Sequence, residues 1–287
     1  MLLSRRQWLS LAALEFSACV SEFGIPGSMW RWDSDFSPYR VIGNIYYVGS
    51  SDLAQFLIAD DAGHVLLDTG FEDSVPRLRK NVERLGFRFE DIKFVICSHA
   101  HIDHVQAHAV VRRETRAQVL VSAPDAPVIA SGGKGEPVFD GVYAWRPCPV
   151  DRILADGERV TLGATTLTAR ITPGHTKGAT TWTMQVPSAT RGLDVVFFPS
   201  ANINPGVRLL GNARYPEIES DFEHSFAIWK SLPCDVFLGA HGQFYDMRAK
   251  YDRLSADNAN PFIDPSGYRR AIAQAEERFK DELAAER

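Results

Sequence analysis

Apolar and polar positions alternate along much of the chain, and the alternation predicts strands over Val41–Val48, Phe56–Ala59 and His64–Asp68, the last closed by Thr69-Gly70. A helical repeat follows. Val75, Leu78, Val82 and Leu85 fall at three- to four-residue spacing, Asp73 or Ser74 stands where a cap belongs, and Gly86 ends the run. Phe94-Val95-Ile96-Cys97 is a short apolar strand that runs directly into Ser98-His99. The second half repeats this grammar: a strand over Thr166–Ile171 leads through Pro173-Gly174 to His175, and Val195–Phe198 is a wholly apolar strand ending at Pro199. A helix over Asp221–Lys230 puts Phe222, Phe226 and Trp229 on one face, and Asp235–Leu238 is a buried strand that continues through Gly239-Ala240 to His241. A last helix carries Tyr268, Ile272, Ala275 and Phe279 on one stripe. Strands alternating with helices predict a layered α/β fold. Residues 131–150 and 199–219 read as long loops with Gly and Pro, and loops of that length often carry function.

The first thirty residues break the pattern. Arg5-Arg6 precede a mostly apolar stretch from Leu9 to Val20, which reads as an export leader over residues 1–28, of twin-arginine type, ahead of a single folded domain over 29–287. This predicts a periplasmic protein. No apolar run reaches the roughly eighteen residues of a membrane-spanning helix, so no mature transmembrane segment is expected. A net charge of −5 argues against nucleic acid as a main partner, which would require a basic face. The four cysteines Cys19, Cys97, Cys148 and Cys234 contain no Cys-x-x-Cys pair, which disfavours a thiolate metal site.

The chemistry concentrates in Ser98-His99-Ala100-His101-Ile102-Asp103-His104, three imidazoles and a carboxylate directly after a buried strand. His175 and His241 also follow apolar strands through small residues, so all of these groups can converge at one edge of a sheet. Imidazole with carboxylate suits zinc, whereas calcium requires oxygen ligands throughout. Isolated histidines are more often surface or capping residues, and His64, His108 and His224 are read that way; His108, four residues after His104, could also support the site from behind.

The segment His99-x-His101-x-Asp103-His104, with His175 and His241, resembles the signature of the metallo-β-lactamase superfamily over residues 41 to 260. The resemblance implies a four-layer αββα sandwich and two zinc ions, one held by His99, His101 and His175, the other by Asp103, His104 and His241. It gives Asp68 in Asp68-Thr69-Gly70 the role of supporting the ligands from behind; read alone, that segment is a turn after a strand. Most non-lactamase members with two metals carry a bridging aspartate after the strand corresponding to Val195–Phe198. Here that strand runs into Pro199-Ser200-Ala201-Asn202, with Asp194 at its other end. The missing acid, together with Gly43–Gly49, Gly211–Pro216 and Leu232–Val236, resembles class B β-lactamases of the third subclass. The implied reaction is hydrolysis of a β-lactam amide, in penicillins, cephalosporins and carbapenems, by a zinc-bound hydroxide that Asp103 orients. Ser200, Asn202 and Asn204 are candidate contacts for the small-molecule substrate. The alternatives are a lactonase or thioesterase of the same superfamily, and a metal-binding protein without turnover. The chain departs from many relatives at Gln106-Ala107, where they carry Gly-Gly, and has no cysteine after Cys234 to pair with it.

Overall fold

The computed structural model describes residues 32–188, 191–256 and 259–287; the leader expected over residues 1–28, with Cys19, lies outside the described residues. Seven strands form the first sheet in sequential order: β1 (Tyr39–Ile42), β2 (Ile45–Tyr47), β3 (Phe56–Asp60), β4 (Gly63–Leu67), β5 (Ile92–Ile96), β6 (Gln118–Ser122) and β7 (Arg152–Leu154). Strands β1 to β4 are an antiparallel meander, and β4 to β7 run parallel. The second sheet runs β12-β11-β10-β9-β8, from β8 (Arg159–Leu162), β9 (Thr165–Ile171), β10 (Thr180–Val186), β11 (Leu193–Phe198) and β12 (Val236–Gly239). The helices are α1 (Val75–Arg84), α2 (Ile102–Val105), α3 (His108–Thr115), α4 (Asp125–Ser131), α5 (Ile218–Ser231), α6 (Met247–Arg253) and α7 (Pro265–Glu286).

Side-chain alternation divides the core. In β4, Val65 and Leu67 face the core between the sheets, while Leu66 joins the cluster under the helices; in β6, Leu120 faces inward and Val119 and Val121 outward. Val75, Leu78 and Val82 of α1 and Val110 and Val111 of α3 close that outer cluster. On the far side, Phe222, Phe226 and Trp229 of α5 and Tyr268, Ile272, Ala275 and Phe279 of α7 cover the second sheet. Helices, sheet, sheet and helices give the expected αββα sandwich. Ser74 holds the N-cap position of α1, but its hydroxyl bonds Asp33 rather than a helix N–H. The last helix is capped by Asp264, which accepts from the Gly267 N–H at 2.7 Å, with Pro265 opening the first turn.

Two expectations need correction. Val41–Val48 is not one strand: Gly43-Asn44 turns it into the β1–β2 hairpin, with Gly43 at φ +54°. His64 is not at the surface. It is buried in β4, edge-on to Phe87 at 5.0 Å, and burial lowers its pKa. His224 is exposed, as expected. No helix among the described residues is long and apolar enough to cross a membrane.

Candidate metal centre

The ends of β5, β9 and β12 deliver the histidines to one rim. The end of β5 is clamped to the second sheet: the Trp182 indole donates to the Cys97 carbonyl at 2.8 Å, and the Thr180 N–H to the Ser98 carbonyl at 2.7 Å. His101 then stands at the N-cap position of α2, its carbonyl accepting from the N–H groups of His104 and Val105. Asp103 and His104 therefore leave from the first turn. His175 is reached through Gly174 at φ +134°, where a Cβ would lie 2.6 Å from the Phe222 ring, so glycine alone lets this turn close onto α5. Beyond β12, the Ala240 carbonyl accepts from the Ala54 N–H at 2.9 Å and Leu53 bridges His241, which sets the last ligand against the β2–β3 connection.

The structure brings all six expected residues together in two triads: His99, His101 and His175, and Asp103, His104 and His241. Within each triad the potential ligand atoms lie within 4.8 Å of one another. The triads adjoin, with the His99 and His104 rings 4.2 Å apart. Asp103 Oδ2 lies 3.3 Å from His104 Nε2 and 3.5 Å from His241 Nε2.

Four of the five imidazoles have Nδ1 engaged on the side away from the cluster. His104 Nδ1 meets Asp68 Oδ2 at 3.1 Å, His241 Nδ1 meets Asp52 Oδ2 at 3.0 Å, His175 Nδ1 meets the Asn202 carbonyl at 2.6 Å, and His99 Nδ1 meets the Ser98 hydroxyl at 3.1 Å. An imidazole that donates through one nitrogen presents a lone pair at the other, the arrangement metal ligation requires. Asp68 is buried in a left-handed conformation, φ 61°, and also accepts from the Ser98 N–H and hydroxyl, both at 2.7 Å.

The charges divide by triad. Burial and the neighbouring His104 hold His99 well below the ordinary histidine pKa, and burial with His101 does the same for His175, so both are neutral. Burial opposes the charged form of His104, but the Asp103 and Asp68 carboxylates outweigh it and raise the pKa to about 10. Burial likewise opposes a charge on His241, and hydrogen bonds to Asp103 and Asp52 outweigh it. Asp103, though buried, is held ionised by His104 and His241. A divalent cation fits this donor set. Among the described residues, His104 Nε2 is buried without a hydrogen-bond partner beyond its 3.3 Å approach to Asp103, and no Lys or Arg pairs with the buried Asp103 carboxylate.

The remaining candidates are placed as follows. Ser200 is buried, its hydroxyl accepting from the Asn202 N–H at 3.1 Å. Asn202 is exposed, its carbonyl bonded to His175, and Asn204 is half-buried in the same loop. Strand β11 ends at Phe198-Pro199 with no acid beyond it, and Asp194 at the opposite end pairs with Gln185. Gln106 accepts from the Glu72 N–H at 3.0 Å, tying α2 to the Asp68–Gly70 turn region. His108 is not a surface residue: it is buried behind the site, with Nδ1 2.8 Å from the Thr69 hydroxyl, and burial pushes its pKa down to about 3. Sequence reasoning missed Asp52, Glu136 and the aromatic walls. Trp32 stands edge-on to His241 at 5.1 Å, Phe139 edge-on to His101 at 5.1 Å, and Tyr143 packs on Phe139. Burial and the charge of Asp103 both raise the Tyr143 pKa, so its ring lies within electrostatic reach of the second triad.

Residues 54–186 match the model of the metallo-β-lactamase superfamily. The chain is 41% identical to the native FEZ-1 metallo-β-lactamase from Legionella gormanii, with 88% of this chain and 97% of that one covered and a TM-score of 0.86. It is 36% identical to BJP-1, a subclass B3 metallo-β-lactamase of Bradyrhizobium japonicum, over 90% and 97% of the two chains, with a TM-score of 0.84. A metallo-β-lactamase with a HARLDQ motif from Cronobacter sakazakii is 34% identical over 89% and 97%, with a TM-score of 0.85. Shared fold, near-complete coverage and two intact triads lead to one conclusion: the chain belongs to the metallo-β-lactamase superfamily.

Proposed function

We propose that this protein is a zinc-dependent β-lactamase that opens the lactam amide with water. The observation that carries this reading is the pair of complete triads at one rim, with no carboxylate directly after β11 to bridge them, in a chain that matches named metallo-β-lactamases over 88% and 90% of its length. The missing acid disfavours the lactonase and thioesterase alternatives, and the intact ligand set disfavours a binding protein without turnover.

His99, His101 and His175 would hold one zinc ion, and Asp103, His104 and His241 a second. Bound there, zinc supplies Lewis acidity and brings the pKa of water from near 16 towards roughly 7. Asp103 Oδ2 sits between His104 and His241, so it accepts a hydrogen bond from the attacking water and fixes its direction. Asp68 and Asp52 hold the rings of His104 and His241 in the tautomer with Nε2 unprotonated. Trp32 beside His241, and Phe139 with Tyr143 beside His101, give the site apolar, half-buried flanks, which lower the local dielectric and strengthen the charge interactions inside. Asn202, exposed beside His175, offers an amide donor to the substrate carboxylate, and Ser200 and Asn204 belong to the same loop. The leader pattern over residues 1–28 supports a periplasmic location for this activity.

The test is metal content and hydrolysis measured on one sample before and after chelation, with a penicillin, a carbapenem, a homoserine lactone and a glutathione thioester as substrates. β-Lactam turnover that vanishes on chelation and returns with zinc is expected. Turnover of the lactone or thioester with none of either β-lactam overturns the assignment.

A further inference from the structure

His101 is the exception among the five imidazoles. Its Nε2 lies 3.5 Å from Glu136 Oε1, and both atoms are buried with no hydrogen-bond partner among the described residues. Glu136 lies in the long loop after α4 and is only 2% exposed. Its other oxygen, Oε2, accepts from the N–H groups of Val138, at 2.8 Å, and Phe139. The Phe139 ring in turn packs edge-on to His101. Another buried acid, Asp125, is occupied by the Ala100 N–H at 2.9 Å and the Thr176 hydroxyl.

We infer that Glu136 is a positioning residue of the metal centre: its Oε1 accepts a hydrogen bond from the His101 Nε2–H and thereby leaves Nδ1 as the ligating nitrogen, while its Oε2 fastens the Phe139 loop over the same ring. The inference rests on the zinc reading above and deepens it. Two buried polar atoms facing each other without other partners have a physical reason to pair, because a carboxylate left alone in a dry site is costly. A carboxylate behind a ligating histidine fixes the ring and raises its basicity. One side chain therefore links the first triad to the loop that walls the mouth, and an empty or misaligned triad would loosen that loop.

Glu136→Gln separates this role from simple loop support. The glutamine carbonyl still accepts from Val138 and Phe139, but its amide donates to His101 Nε2 and drives the proton to Nδ1, the nitrogen needed for zinc. Zinc affinity is read by competition with a chromophoric chelator, the first-site ligand field by the visible spectrum of the cobalt-substituted protein, and the fold by melting of the metal-free protein. Metal-free Glu136→Gln should melt as wild type does, with the histidine-only site weakened by about 10- to 100-fold and its cobalt spectrum altered. Unchanged affinity and spectrum, with only a lowered metal-free melting point, would overturn the inference and leave the zinc reading intact. Wild-type protein that takes up no zinc would overturn both. Should the variant not fold, long-range proton–nitrogen correlation spectra of zinc-loaded wild type decide: His101 protonated at Nε2 supports the inference, and protonated at Nδ1 refutes it.

Discussion

Asp68→Asn is the sharpest probe of the second triad. Asparagine keeps the acceptor for the Ser98 N–H and tolerates the left-handed backbone at φ 61°, so the turn itself survives. It cannot accept from the Ser98 hydroxyl or from His104 Nδ1, the two bonds now made to Oδ2. Hydrogen bonds to a charged partner contribute about 1.5–3 kcal/mol each, and the Ser98 hydroxyl can turn to accept from the new amide, so about 2–4 kcal/mol of metal-free stability should disappear. The larger consequence concerns the tautomer. The asparagine amide donates to His104 Nδ1 and moves the proton to Nε2, which faces Asp103, so zinc at the second triad should weaken by about 10- to 100-fold. Urea unfolding of the metal-free protein measures the first effect, and chelator competition with stepwise zinc loading measures the second. An Asp68→Asn protein that fills its second site with wild-type affinity would refute the idea that this carboxylate sets the His104 proton.

Four further outcomes are expected. Zinc must displace a proton from His104, whose pKa is about 10, and His241 is also raised, so affinity at the second triad should fall at least tenfold per unit of falling pH near neutrality, more steeply than at the first triad, where His99 and His175 are neutral; chelator competition across pH reads both slopes. His108, held at about 3 in the fold and near 6.5 unfolded, leaves the unfolded state with more protons between those values. Stability of the metal-free protein should therefore fall as pH drops below about 6.5, with His108 contributing up to about 1.4 kcal/mol per unit, and His108→Gln should flatten the slope in urea melts. Gly174→Ala forces a Cβ to 2.6 Å from Phe222 at a positive φ and should cost about 2–4 kcal/mol in denaturant unfolding and displace His175 from the first site. Asn202→Ala removes the side chain but keeps the carbonyl that holds His175, so KM for a carbapenem should rise about two- to tenfold with kcat little changed; an unaltered KM would remove Asn202 from substrate binding.

The ligands were legible because each follows an apolar strand that had to be buried; they meet not at one sheet's edge but where the end of β5, in the first sheet, faces the ends of β9 and β12, in the second. Their outer partners were not. Asp52 lies 189 positions before His241 and sits between unremarkable serines and Leu53, and nothing in Gly135-Glu136-Pro137 marks an acid that will face a ring. Both pairings exist only once the sheets stack. The hairpin at Gly43-Asn44 carried a turn signal that the alternation around it concealed, and β6, β7, β8 and β10 were too short or too mixed in pattern to stand out before their neighbours paired with them. His64 and His108 show the same limit from the other side: burial of a lone imidazole depends on what packs against it, Phe87 in one case and Thr69 in the other.

The bare end of β11, Phe198 passing into Pro199 without an acid, gives the two triads no common side chain. Each cation would then have its own private seat. One can leave without dragging a shared ligand from the other, so the protein should persist as a defined singly loaded species when zinc is scarce, and its activity should respond to zinc supply in steps instead of collapsing at one threshold.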